Sequence, residues 1–257
     1  MKLSKVLNGN EKYQVVTEQI GEVPHVDDCC VMQGGTCNGK YLWVVEITRK
    51  DYNDYSKGEG HVLKYDVETM EEIGRSKRLP VGHANDIAYV PEKNELYIAR
   101  CCPEAFAVLD ADTLEMKEIT PDRGYYGHAV AYEPVSKKFA MAFEKPNRLK
   151  TNIRVLDEAL NEVYNRDGEY TSLITQGMYA DENYVYQIMW AYKPTEEEPE
   201  NVIFVSDWEN NLITKISIGL KGLEPENLSI IDDVFYIVCY NKNGLTAPVF
   251  KGHLEVL

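Results

Sequence analysis

The sequence predicts an all-β fold, and three observations carry that expectation. The apolar runs are short, rich in β-branched and aromatic residues, and bounded by Gly, Asn, Asp and Pro, as strands are. Tyr is abundant at 18 of 257 residues, and almost nothing has the period of a long amphipathic helix. The strand runs also recur as a unit, which points to a repeat architecture.

Taken in order, the first unit opens at Gln33, has its second strand at Tyr41–Val45, and ends its third at Lys64-Tyr65-Asp66. A fourth strand follows at Glu71–Gly74. The second opens at Asn85 and continues through Glu95–Ala99 to Val108-Leu109-Asp110. The third opens at His128 and continues through Lys138–Ala142 to Val155-Leu156-Asp157. Residues 155–164 allow a helical turn or two, but the repeat argues for strands there. The fourth opens at Gln176, continues through Asn183–Ile188 and Val205-Ser206-Asp207, and closes with Leu212–Ile218. The fifth opens at Glu226, has its second strand at Val234–Val238, and stops after its third strand near Ala247–Leu257.

The openings recur after 52, 43, 48 and 50 residues. Second strands follow 9 or 11 residues later, the longer spacing coming from Pro91–Asn94 and Pro134–Lys137. Four antiparallel strands repeated five times predict a single five-bladed β-propeller over residues 1–257. Its blades fall near 30–79, 80–124, 125–170, 171–220 and 221–257, and residues 13–20 supply the missing outer strand that closes the ring and covers an edge. The column Asp66, Asp110, Asp157 and Asp207 fits side-chain-capped turns.

Composition narrows the partners. With 27 Lys+Arg against 42 Asp+Glu, the net charge is −15 and the pI near 4.8. Such a chain repels phosphate backbones and anionic headgroups, so neither nucleic acid nor a membrane is expected as partner. No apolar run reaches a membrane span, and residues 1–8 lack a signal peptide's hydrophobic stretch, so a cytoplasmic protein is expected, a monomer or weak homo-oligomer. The cysteines Cys29, Cys30, Cys37, Cys101, Cys102 and Cys239 lack zinc-site spacing and read as reduced thiols.

Propeller geometry gathers the five opening residues, Gln33, Asn85, His128, Gln176 and Glu226, into a polar ring at the channel mouth. Loops from second to third strands add Glu46, Tyr52, Tyr55, Arg100, Glu144, Lys145, Arg148, Trp190, Tyr192 and Tyr240, and preceding loops add His83, Tyr125 and Tyr126. Convergent polar groups rimmed by aromatics describe a small-molecule pocket. Glu226 and His128 are the proton carriers, with His83 a substitute for His128. Arg100 is a planar fork for a substrate carboxylate, or else the ion-pair partner of Glu46 or Glu144. No cofactor is expected; the alternative is a hard cation such as calcium on Asn85, Glu226 and Gln33. A non-catalytic ring that binds a ligand or protein is the other class of function, because polar residues also line propeller channels to satisfy backbone groups.

Three family resemblances add expectations. The segment His83-Ala84-Asn85-Asp86-Ile87-Ala88-Tyr89-Val90-Pro91 with Leu96-Tyr97-Ile98-Ala99 resembles the blade repeat of YVTN/YncE-type bacterial propellers, which implies fold rather than activity. Gln33-Gly34-Gly35-Thr36-Cys37-Asn38-Gly39-Lys40-Tyr41 resembles the first blade of uncharacterised proteins of that kind. The Asn85-Asp86 pair resembles the N-D motif of the SMP-30/gluconolactonase family, six-bladed metal-dependent lactonases whose further acidic ligand motifs are not found in this chain. Thr175-Gln176-Gly177-Met178 and Leu223-Glu224-Pro225-Glu226-Asn227-Leu228 are similar, after a circular shift, to blade openings of five-bladed glutaminyl cyclases. That resemblance implies Glu226 as the acid/base group in cyclisation of an N-terminal Gln, with Trp190 and Trp43 as the remnant of a Trp-rich pocket.

Overall fold

The computed structural model describes residues 3, 7–48, 55–102, 105–143, 150–191, 200–242 and 244–257. Five antiparallel blades surround one axis. The first is β2 (Cys29–Cys37), β3 (Tyr41–Thr48), β4 (Gly60–Asp66) and β5 (Glu72–Arg75), and the second is β6 (Asp86–Val90), β7 (Glu95–Ala99), β8 (Phe106–Asp110) and β9 (Met116–Ile119). The third is β10 (Ala129–Glu133), β11 (Lys138–Ala142), β12 (Lys150–Leu156) and β13 (Glu162–Tyr170). The fourth is β14 (Ile174–Ala180), β15 (Tyr184–Trp190), β16 (Asn201–Asp207) and β17 (Leu212–Ile218). In the fifth, β18 (Glu224–Pro225) and β19 (Ser229–Ile231) both pair with β20 (Val234–Tyr240), followed by β21 (Thr246–Val256). Residues 155–164 are strand and turn, as the repeat requires.

The closing strand β1 is Tyr13–Pro24, longer than the 13–20 expected, and pairs antiparallel with β21 along its whole length. It also pairs in parallel with β17 through Tyr13↔Ile216, Gln14↔Ser217 and Val15↔Ile218. The fourth and fifth blades therefore share one nine-stranded sheet, and two strand edges that would otherwise face solvent are paired.

Packing between blades supplies the core. Trp43 stacks on Tyr89 of the next blade with ring centroids 5.0 Å apart, and its Nε1–H donates to the Ala111 carbonyl at 2.9 Å. Tyr97, Phe106, Tyr132 and Phe139 fill the next junction, and Met178, Ala180, Val185 and Trp208 the one after. Each fully buried side chain of this size contributes about 1.5–3 kcal/mol. The predicted Asp turns form: Asp66, Asp110, Asp157 and Asp207 each accept two backbone N–H bonds through Oδ1 at 2.8–3.0 Å.

The inner strands approach so closely that two positions admit only glycine. A Cβ on Gly34 would lie 2.4 Å from Asp86 Cα, and one on Gly177 2.5 Å from Asn227 Cα. Both obstacles are backbone, so Gly34→Ala or Gly177→Ala forces inner strands apart and is expected to cost about 3 kcal/mol. Urea unfolding checks this, and a change below about 0.5 kcal/mol would show that the axis tolerates widening.

Candidate functional site

At the axis, the first residue of β6 closes the channel. Asp86 is 0% exposed; its Oδ1 accepts the Ile87 N–H at 2.9 Å, and its Oδ2 accepts the N–H groups of Val130 at 3.0 Å and Met178 at 2.9 Å. One carboxyl thus fastens the inner strands of three blades. Burial pushes it well above the usual carboxylate range, against the pull of those three donors. Below this hub, a cavity of about 260 Å³ opens on the face where the inner strands end, lined by Val130, Met178, Tyr89, Tyr132, Tyr179 and Ile231 among others. Above it, on the face where the inner strands start, lie the predicted polar residues.

Four of the five opening residues are buried around the hub. Gln33 and Gln176 occupy bulges: the pairing of β2 with β3 passes over Gln33 and Gly34, and that of β14 with β15 passes over Gln176. Such bulges turn a side chain out of the regular sheet. Asn85 Nδ2 donates across the axis to the Gln176 carbonyl at 3.1 Å, and Gln176 Nε2 donates to Glu224 Oε1 at 2.6 Å. Glu224 Oε2 lies 3.8 Å from Lys242 Nζ, which stands 4.8 Å over the Trp190 ring.

Glu226 falls in the break between β18 and β19, where its N–H donates to the Val238 carbonyl at 2.8 Å. Its residue is 1% exposed. Burial pushes this acid well above the usual range, and the neighbouring Glu224 and Asp86 carboxyls push it further, opposed by Lys242. Burial also raises Glu224, again against Lys242. The buried Gln33 Oε1 and Asn227 Nδ2 make no hydrogen bond among the described residues.

The fifth opening residue goes elsewhere. His128 is half-buried, and its Nδ1 faces the Cys101 thiol at 3.6 Å. His83 stands beside it, buried, and burial followed by the nearby His128 holds its imidazole down at about 3, so it is neutral near pH 7. Arg100 is buried as well, with one guanidinium nitrogen 3.5 Å from the Ser56 carbonyl.

The structure places the remaining residues as follows. Glu46 is not an open member of the ring: it is 0% exposed, with Oε1 2.7 Å from His25 Nδ1 and Oε2 accepting the Val26 N–H at 3.0 Å. It fastens the entry to β2 and pairs with His25, not with Arg100. Tyr126 is 55% exposed and stands in solvent. The loop His25-x-Asp27-Asp28 has partners at each acid or base, with Asp27 3.4 Å from His61 Nε2 and Asp28 paired with Arg78. Trp190, Tyr240 and Tyr125 are buried. Tyr52, Glu144, Lys145, Arg148 and Tyr192, and the side chain of Tyr55, lie outside the described residues.

Sequence reasoning missed Glu224, Lys242 and Cys101. Glu224 was legible in principle, since it lies two residues before Glu226 and a short strand puts such a pair on one side. All six cysteines are free thiols. Among the described residues no cluster of three His, Cys, Asp or Glu side chains has the geometry to hold a metal ion.

No protein-family model matches the chain, and no curated protein matches its sequence. Solved structures do match. Glutaminyl cyclase from Myxococcus xanthus is similar at TM-score 0.65 and 12% identity, over 96% of this chain and 100% of that one. An exo-β-1,3-galactanase from Phanerochaete chrysosporium, solved with β-1,3-galactotriose, is similar at TM-score 0.61 and 7% identity, over 95% of this chain and 67% of that one. A chain of a nidogen/laminin complex is similar at TM-score 0.53 and 12% identity, over 88% and 85%. Together with the four-stranded sheets, the inner strands around one axis and the closing strand β1, these likenesses show the chain to be a five-bladed β-propeller.

Proposed function

We propose that the polar cup on the strand-start face binds a small polar molecule or peptide end, and that Glu226 moves a proton to and from it. The observation that supports this reading is a carboxyl that is 1% exposed and is pushed up by burial and by the neighbouring Glu224 carboxyl. A carboxyl pushed up in this way holds its proton to higher pH than an ordinary glutamic acid, as general acids require. Unmatched atoms on Gln33 and Asn227 add an acceptor and a donor, each costing about 1–3 kcal/mol until something pairs with it. His128 faces Cys101, so Glu226 carries the transfer alone.

The substrate class the reading favours is a peptide with N-terminal glutamine. Its α-amine attacks the side-chain amide carbon, the new N–C bond closes the ring, and the old C–N bond breaks. Glu226 gives its proton to the departing ammonia and recovers one from the attacking amine. The similarity to a cyclase over that protein's full length supports this choice, as do Gln176-Gly177 and Glu226-Asn227 at the openings of the fourth and fifth blades.

Peptides beginning with Gln, followed by ammonia release and by mass, test it. The wild-type protein is expected to cyclise them. Glu226→Gln is expected to lower turnover by about 10²–10⁴-fold and leave affinity within about threefold. Unchanged turnover in Glu226→Gln would overturn the role of Glu226. Binding without cyclisation would establish the non-catalytic reading.

A further inference from the structure

We propose that Cys101 is a nucleophilic thiol activated by His128, forming a second reactive site on the strand-start face for a substrate with an electrophilic carbon. The site lies between the second and third blades and does not depend on the role of Glu226. Cys101 Sγ is 3.6 Å from His128 Nδ1 and 4.0 Å from the His128 carbonyl. The Cys101 N–H donates to the Gly127 carbonyl at 3.0 Å, and the His128 N–H donates to the Ala142 carbonyl at 2.9 Å. The loop after β7 is therefore fastened to the residues just before β10, which holds thiol and imidazole in register.

Backbone conformation adds a separate observation. Cys101 has φ 54°, in the left-handed region that costs an ordinary residue about 1–2 kcal/mol. Most other non-glycine residues with such φ, including Met70, Leu114, Leu160 and Asn210, serve hairpin turns. Cys101 likewise lies in a hairpin loop, between β7 and β8, where the Arg100 N–H donates to the Ala105 carbonyl at 2.9 Å; there its thiol faces the imidazole. The bond to the Gly127 carbonyl holds this conformation against the neighbouring blade.

The remaining thiols are placed differently. Cys29, Cys37, Cys102 and Cys239 are buried; burial pushes Cys29 up to about 11, Cys37 up to about 12 and Cys239 well above its ordinary value. Only Cys30 and Cys101 are half-buried, and among the described residues Cys30 has no hydrogen bond to an imidazole or other base, so it is an internal control. His83 beside His128 is neutral, so it adds no charge that opposes a thiolate.

The step balances within the pair and its substrate. The thiol proton passes from Sγ to Nδ1, and the thiolate forms a C–S bond as the carbon's leaving group departs with its electron pair. The leaving group then takes the proton from the imidazolium, restoring neutral His128.

Iodoacetamide, with each cysteine followed by mass spectrometry, tests the proposal on the full chain. At neutral pH, Cys101 is expected to be carbamidomethylated about tenfold faster than Cys30, with iodide leaving. His128→Asn is expected to slow Cys101 about tenfold without changing Cys30, and to remove the ultraviolet thiolate absorbance that Cys101→Ser also removes. Equal rates at Cys101 and Cys30 in the wild-type protein would overturn the proposal, and that comparison needs no variant to fold. An unchanged Cys101 rate in folded His128→Asn would overturn it equally.

Discussion

Replacing Asp86 by alanine is expected to destabilise the ring by about 3 kcal/mol or more, the largest single effect of any side chain near the axis. The variant leaves three backbone N–H groups, of Ile87, Val130 and Met178, without their acceptor in a site closed to water. Each orphaned donor costs about 1–3 kcal/mol, partly offset because a desolvated carboxyl is also removed. For a chain of this length that is a fall in Tm of roughly 10 °C. Asp86→Asn retains one acceptor oxygen and is expected to fall between the two. Thermal and urea unfolding of the three proteins measure the order. If Asp86→Ala unfolds within about 0.5 kcal/mol of wild type, the inner strands close without this carboxyl.

Glu226→Gln is expected to act in the opposite direction on stability. The folded-state pKa of Glu226 lies above the unfolded value of about 4.3, so the folded protein keeps a proton that the unfolded chain releases. Stability from that proton is complete below about pH 4 and is lost as pH rises toward the folded pKa. The variant has no such loss. Its stability should match wild type near pH 4 and exceed it by about 1.4 kcal/mol per pH unit above that, until the folded pKa is reached. The raised carboxyls of Asp86, Glu224 and Glu46 remain in both proteins, so the difference isolates Glu226 and its coupling to the first two. Parallel pH–stability curves would show that Glu226 is ionised in the folded state. A gain in stability together with a loss of turnover is the signature of a group kept for chemistry at the expense of the fold.

The fold was legible because its determinants are local and repeated. Strand alternation, the Asp-capped turns and the spacing of opening residues all act within one blade, so periodicity in the chain becomes periodicity in space. The site was legible only in part, because its contacts are distant in sequence. Gln33, Asn85, Gln176 and Glu226 follow from register alone, and the structure buries all four. Asp86 takes its donors from residues 44 and 92 positions away, so its role as hub could not be read from the Asn85-Asp86 pair. Glu46 was drawn out of the ring by His25, a partner in the connection between β1 and β2 that the repeat does not describe. Cys101 reads in sequence as half of a Cys-Cys pair; its contact with His128 spans 27 residues and joins two blades. The longer reach of β1 comes from residues 21–24, which continue the pairing with β21 past the bulge after Gln19 and lie beyond the repeat.

The protonation state of Glu226 carries the account of the cup, and carbon-13 NMR of protein labelled at the Glu side-chain carboxyls observes it directly. One resonance is expected at the chemical shift of a neutral carboxylic acid at pH 7, absent from Glu226→Gln and shifting only at higher pH. A Glu226 resonance that titrates near the ordinary value of about 4.3 would contradict the account.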